Sequence, residues 1–439
     1  MLFALLPPVL ATPDCGPESC PIVTDLGGAL EAVDPSFDAF NNPADLAPDY
    51  AYTFAELPLY GEAERVPWTD SYWPKHEGGI AHRWQTGEER DYPLLGLEEL
   101  SALTPEELAR LSPTEKYDLL VGNYQYTLTY RAQAESPASA SSWTGYCHGW
   151  TSASIHYEEP QPVVMTNPDG LEIPFGSSDI KALLSYFAGE VVHNTRYPES
   201  AMPWATTPRG IGTLCLSNNP ATPSCQDTDA GAFHVVLTNQ LGLRQEAFGI
   251  DATTTAEKWN QPVHRYATEV LGTRPPSPGA SPNAVEEKLT RSHVTWTVEV
   301  EPTWDPLLGT PGHKDTTETY TYTVELDADG QIIGGQWVVL FDDGSDYTLQ
   351  EAIEVLQTRD ENNDGTPDLS EDQIEGVIWE HFSFPDYTWV QDPMAFSDTF
   401  KEAWGPYELL SNNQGTREKL FHYMAELGTL YEASRDPKN

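Results

Sequence analysis

Basic side chains are scarce. The chain carries 23 Lys plus Arg against 68 Asp plus Glu, a formal net charge of -45 at pH 7. Phosphate contacts need a basic surface, so nucleic-acid binding is excluded as a function class. An anionic membrane surface would repel the chain for the same reason. Long apolar runs are missing too: no stretch reaches the roughly 20 residues of a membrane-spanning helix, which excludes membrane insertion. Without a Cys-x-x-Cys or His-Glu-x-x-His spacing there is no zinc site to read, and no internal repeat appears. Cysteine is sparse, at five in 439 residues. Cys15 and Cys20 lie close together, as do Cys215 and Cys225. In an oxidising compartment they would close two short disulfide loops and leave one thiol, Cys147, unpaired.

The acid excess points to a strongly hydrated extracellular surface whose self-repulsion is screened by counter-ions. Met1 to Ala11 (MLFALLPPVLA) resembles the tail of a signal peptide without its basic region, which with the cysteine pairs predicts a secreted, monomeric protein. A Pro- and Asp-rich leader follows to about Pro48. Thr104 with Glu107, and Ser112 with Glu115, form capping-box patterns ahead of helices. Ser178 is the expected N-cap of a helix to Phe187 whose Ile180, Leu183, Leu184 and Phe187 recur at helical spacing. Phe233 to Leu237 and Phe248 to Ile250 read as strands around a turn at Gly242. Val294 to Val300, Thr319 to Leu326 and Ile332 to Leu340 alternate and are rich in Thr, Val and Tyr, predicting an antiparallel sheet. A last amphipathic helix carries Leu420, Met424, Leu427 and Tyr431. The fold class is therefore α+β.

Cys147 sits in Gly145-Tyr146-Cys147-His148-Gly149-Trp150, ahead of small residues that suit a tightly packed helix. A thiol is mostly protonated at pH 7, and a helix N-terminus or an imidazolium favours the nucleophilic thiolate. Among eleven histidines, His234 opens an apolar run and is the best-placed base. Asp251, which ends Phe248-Gly249-Ile250-Asp251, is its expected orienter, with Asn239 and Asn260 as alternatives. His148 is a poor base for Cys147, because helix neighbours point apart. On residue types alone, Cys147 and His234 also read as a small core residue and a packed histidine.

A second chemistry lies near residue 365. Asp360, Asn362, Asp364, Thr366, Asp368 and Glu371 fall at the spacing of a calcium loop, with Gly365 at its sharp turn. Apolar faces at Leu349, Ala352, Ile353 and Leu356, and at Ile374, Val377 and Ile378, predict flanking helices. One structural Ca2+ is expected there, remote from Cys147.

Several segments in order, Tyr72-Trp73-Pro74 with Gly78-Gly79-Ile80-Ala81, Cys147-His148-Gly149-Trp150, Thr238-Asn239-Gln240, Trp259-Asn260-Gln261-Pro262-Val263 and Gly334-Gly335-Gln336-Trp337, resemble the transglutaminase elicitor family. The resemblance covers roughly residues 65 to 390. It implies a papain-like cysteine-enzyme core that joins glutamine to an amine, with Cys147 as nucleophile, His234 as base and acid, and Asp251 as orienter. The expected partners are proteins supplying glutamine and lysine, or small amines. Gln125 and Trp143 are candidates for an oxyanion donor beside the Cys147 N–H. A disulfide at Cys215 and Cys225 would brace the His234 segment. The implied layout is a signal remnant (1–11), a leader (12–48), a catalytic domain (49–346), a calcium-binding insertion (347–382) and a C-terminal helical segment (383–439). Trp259 and Pro262 are expected in an exposed turn. A papain-like protease or protein glutaminase would use the same triad, and a non-catalytic secreted elicitor or adhesin is the rival of another class.

Overall fold

The computed structural model describes residues 37–193, 206–212, 228–253, 257–340, 346–348, 385–398, 404–410 and 413–435, with Val355, Gln357, Thr358 and Leu369 besides. The Cys15/Cys20 and Cys215/Cys225 pairs, the signal-like segment and all six expected calcium ligands lie outside the described residues.

Among the described residues an antiparallel sheet of nine strands organises the fold, in the order β10-β9-β8-β7-β6-β5-β11-β4, with β1 also paired to β6. Its long members are β6 (Asn260–Arg274), β7 (Glu286–Thr297), β8 (Asp315–Leu326) and β9 (Ile332–Leu340). β5 (Phe248–Asp251), β11 (Tyr387–Val390), β4 (Arg209–Gly212), β1 (Tyr60–Glu62) and β10 (Asp346–Thr348) complete it. A separate hairpin joins β2 (Val163–Thr166) to β3 (Glu172–Phe175). The Thr, Val and Tyr alternation thus produces the expected sheet. The turn at Asp327 to Gly330 closes β8 onto β9, with the Gly330 N–H donating to the Asp327 carbonyl.

Two apolar cores hold the molecule together. The first is helical: it contains Trp150 and Ala153 of the helix Cys147–His156, Ile180 to Leu184 except Lys181, and Leu420, Met424, Leu427 and Tyr431 near the C-terminus. Gly149 lets two of these helices meet, because a Cβ there would stand 2.0 Å from the Ser185 carbonyl oxygen. The second core joins sheet residues Phe248, Ile250, Val263, Tyr322 and Val324 to Phe233, Val235, Val236 and Leu237.

Sequence expectation and structure diverge at several places. The segment expected as a strand around His234 is a helix, Ala230–Leu237, started by Asp229, whose carboxylate accepts from the Ala232 N–H. An apolar run that short fits either state, and here burial against the sheet decides. The expected turn at Gly242 belongs to a wide helical segment, Thr238–Arg244. Of the two residues expected in an exposed turn, Pro262 lies instead in β6, buried opposite Gly249, while Trp259 is half-buried just before that strand. Pairing with β7 begins only at Val263, so β7 needs no N–H from the proline. The last helix is broken into Gln414–Tyr423 and Glu426–Ser434, with all four expected apolar residues buried. The C-terminal segment is moreover not wholly helical, since it supplies β11. The leader is not wholly detached, since Leu46 and Ala47 belong to the second core. Both capping boxes form as expected, whereas Gly176 rather than Ser178 precedes the helix Ser177–Tyr186.

Candidate active site

Cys147 is the first residue of its helix, and its thiol is free and buried. The preceding turn is tied down by the Tyr146 N–H, which donates to the Tyr72 carbonyl at 2.6 Å. The helix lies against β5 and β6, and the Thr151 hydroxyl donates to the Asn260 carbonyl at 2.9 Å. This docking puts the sulfur at the start of β6. Its S–H donates to the Lys258 carbonyl at 3.5 Å, and the Asn260 amide Nδ2 donates to the sulfur at 3.7 Å. The rings of Tyr72 and Trp259 pack at 5.8 Å beside this point.

Asp251 ends β5 directly opposite Asn260. Its Oδ1 accepts from the Trp259 N–H at 2.9 Å and the Thr253 hydroxyl at 3.2 Å, which secures the turn that carries Lys258. The other carboxylate oxygen and the Lys258 Nζ are buried without a hydrogen-bond partner among the described residues. Burial pushes the Asp251 carboxyl up to about 6, against the hydrogen bonds from Trp259 and Thr253. Burial lowers the Lys258 ammonium, which Asp251, Asp386 and Cys147 oppose. Burial also pushes the thiol up to about 11, with the Glu299 and Asp251 charges adding to it and the backbone and side chain of Asn260 opposing it. The resting thiol therefore keeps its proton at neutral pH: desolvation outweighs the helix N-terminus here.

His234 is not part of this cluster. Along β5, Phe248 and Ile250 belong to the core that contains the Ala230–Leu237 helix. Side chains alternate along a strand, so Gly249 and Asp251 face the other way. His234 stacks on Phe54 at 5.5 Å, and its Nδ1 lies 2.9 Å from the Tyr322 hydroxyl. That hydroxyl continues to Ser292 at 2.7 Å and on to Thr268 at 2.6 Å. Burial alone lowers His234 to about 3, leaving a neutral ring with no charged partner among the described residues and its Nε2 unbonded among them. Of the three residues paired from sequence, Cys147 and Asp251 both border Asn260, while His234 sits on the opposite side of β5.

The remaining candidates divide similarly. Asn239 is committed to the fold, with its amide bonded to the Ala51 N–H and carbonyl and to the Val235 carbonyl. His148 turns toward His193, with ring centroids 5.6 Å apart. Gln125 is exposed beside Gly405, and Trp143 is half-exposed in the turn leading to Cys147. Lys258 and Trp389 are site residues that the sequence reading did not single out. Lys258 directly precedes the Trp259-Asn260-Gln261-Pro262-Val263 segment, and the Trp389 indole reaches the Asn260 Oδ1 at 3.0 Å. Among the described residues no group of three or more His, Cys, Asp or Glu is arranged to hold a metal. No described helix is long and apolar enough to cross a membrane.

The site thus places a buried free thiol at the start of a helix that packs on an antiparallel sheet. The chain belongs to the transglutaminase elicitor family, whose sequence profile matches residues 122–348. In fold it is similar to the GP42 transglutaminase from Phytophthora sojae, with a TM-score of 0.54 and 18% identity over 90% of this chain and 98% of that one. A comparison with curated proteins gives no match.

Proposed function

We propose that the protein is a secreted protein-glutamine γ-glutamyltransferase with a papain-like core and Cys147 as its nucleophile. The observation that carries this reading is the Cys147 sulfur, free, at the start of a helix and touched by the Asn260 amide, in a chain of this family. The sulfur attacks the side-chain carbonyl carbon of a glutamine, the C–N bond breaks, and ammonia leaves with the thiol proton. A primary amine such as that of lysine then attacks the thioester, an isopeptide bond forms, and the proton returns to sulfur. Lys258, whose carbonyl accepts the S–H and whose Nζ is unpartnered among the described residues, is the proton carrier in this reading. Asp251 positions the Lys258 turn, and His234 has no proton-transfer role. The Cys147 N–H, at the open end of its helix, is the oxyanion donor.

The test is incubation with a glutamine-rich protein and a fluorescent amine while ammonia and new peptide termini are measured. Amine incorporation with matching ammonia release is expected. New termini without incorporation would make the protein a protease, and ammonia without incorporation a glutaminase.

Calcium enters on sequence spacing. Asp360, Asn362, Asp364, Asp368 and Glu371 gather four carboxylates whose mutual repulsion a cation relieves, with the Thr366 carbonyl as a further ligand. Since a ligand held only by the folded loop stabilises it by mass action, melting temperature should rise with calcium in wild type and much less in Glu371→Gln. Equal melting with calcium or chelator would remove the site.

A further inference from the structure

We propose that Trp389 is a positioning residue: its indole N–H fixes the Asn260 amide so that the amide N–H2 faces the Cys147 sulfur. This rests on the reading of Cys147 as nucleophile. An asparagine amide has a donor end and an acceptor end, and which end faces a partner is decided by its hydrogen bonds. An indole N–H can only donate. At 3.0 Å from Asn260 it must be met by Oδ1, which leaves Nδ2 directed at the sulfur, 3.7 Å away.

The pieces are held rather than loosely apposed. β11 is inserted between β5 and β4, and Trp389 pairs with Gly249 on one side and Gly210 on the other. Trp389 is 4% exposed, and a Cβ on Gly249 would stand 2.2 Å from its indole, so the ring lies flat across that glycine. The Asn260 main chain is anchored independently by the Thr151 hydroxyl of the Cys147 helix. The amide can thus neither swing away nor turn over while the indole is in place.

A donor on sulfur matters through charge. A thiol is a weak acceptor, while a thiolate makes a charge-assisted bond, so the oriented amide favours ionisation. With the amide turned over, its oxygen would oppose the thiolate instead. The direction agrees with the lowering influence of the Asn260 side chain on the thiol. Trp389 lies beyond the residues matched to the family, 122–348. The C-terminal part of the chain thereby biases the ionisation of a cysteine about a third of the way along it.

The experiment follows alkylation of Cys147 by iodoacetamide as a function of pH in the full chain, quantified on the Cys147 peptide. Wild type, Trp389→Phe, Asn260→Ala and the double variant are compared, with Glu299, Asp251, Lys258 and Tyr72 unchanged. In Trp389→Phe the profile should move up by about one pH unit, slowing alkylation about tenfold at fixed pH below its midpoint. Altered access would instead scale the whole profile. The double variant should be no slower than Asn260→Ala, because Trp389 acts through that amide. An unshifted profile in Trp389→Phe, or multiplying effects in the double variant, overturns the proposal. Should Trp389→Phe fail to fold, Asn260→Asp keeps the indole bond and places a carboxylate oxygen on the sulfur. Its profile should move up further than that of Asn260→Ala, and an unmoved one also overturns the proposal. Alkylation does not depend on transfer activity. A shifted profile alongside an active Cys147→Ser would therefore defeat only the functional reading, and an unshifted profile with inactive Cys147→Ser only this one.

Discussion

The two sides of β5 each bury a side chain that titrates, yet they surround it differently. On the Cys147 side, an amide donates to the sulfur, the charges of a carboxylate and an ammonium act on it, and two of the polar atoms there have no hydrogen-bond partner among the described residues. On the His234 side, the ring is stacked on Phe54 and tied through Nδ1 to a chain of hydroxyls, Tyr322, Ser292 and Thr268, while its Nε2 has no hydrogen-bond partner among the described residues. The difference teaches that burial alone does not mark a reactive group. A buried polar group with an open atom but no nucleophile beside it is part of the scaffold. One that keeps unused bonding capacity next to a nucleophile is available for chemistry.

The strongest way to break this contrast is Cys147→Ser. Amine incorporation should fall to background with melting nearly unchanged, since serine keeps the shape but not the nucleophilicity. A folded, active variant would remove the site. Next comes Asp251, whose Oδ1 holds the Trp259 N–H and so the turn beside the sulfur. Asp251→Ala should lower kcat/KM about a hundredfold by misplacing that turn, while Asp251→Asn keeps an acceptor for the same N–H and should cost far less. Equal losses in the two would instead make the carboxylate charge the important property. Gly249→Ala sharpens the comparison from the scaffold: its new Cβ meets the Trp389 indole, and overpacking of this kind costs about 1–3 kcal/mol. Activity should fall along with stability, whereas an unaffected kcat would separate the indole from the site.

The smallest effect on turnover is expected at His234. His234→Phe should leave kcat within about threefold of wild type while costing about 1 kcal/mol from the lost Tyr322 bond. A loss of a thousandfold would restore the histidine to the active site. Its stability has a distinctive pH dependence. The folded ring titrates at about 3 rather than near 6.5, so below 6.5 the unfolded chain binds the proton that the folded ring refuses. This contribution is complete above about pH 6.5 and is lost as pH falls toward about 3. The stability advantage of wild type over His234→Phe should therefore shrink on acidification through that window, by up to about 1.4 kcal/mol per pH unit. Chemical denaturation at several pH values measures it, and a constant difference would contradict the neutral buried ring.

What the sequence settles by itself is local. Thr104 with Glu107 and Ser112 with Glu115 close capping boxes within three residues, and the Thr, Val and Tyr alternation of β7, β8 and β9 follows from a period of two. Cys147 stands out by its unpaired count, and the motifs in order identify the family. Tertiary structure alone decides that residues 230–237 are a helix, because an apolar run of that length satisfies either backbone and only burial against β8 and β9 separates them. It alone places His234 across β5 from Asp251. It alone brings Trp389 to Asn260 over 129 residues of chain, and Asn260 to Cys147 over 113. Periodicity and caps report on neighbours within a few residues, whereas the partners of a strand or a buried amide are chosen by which surfaces the whole chain can exclude from water.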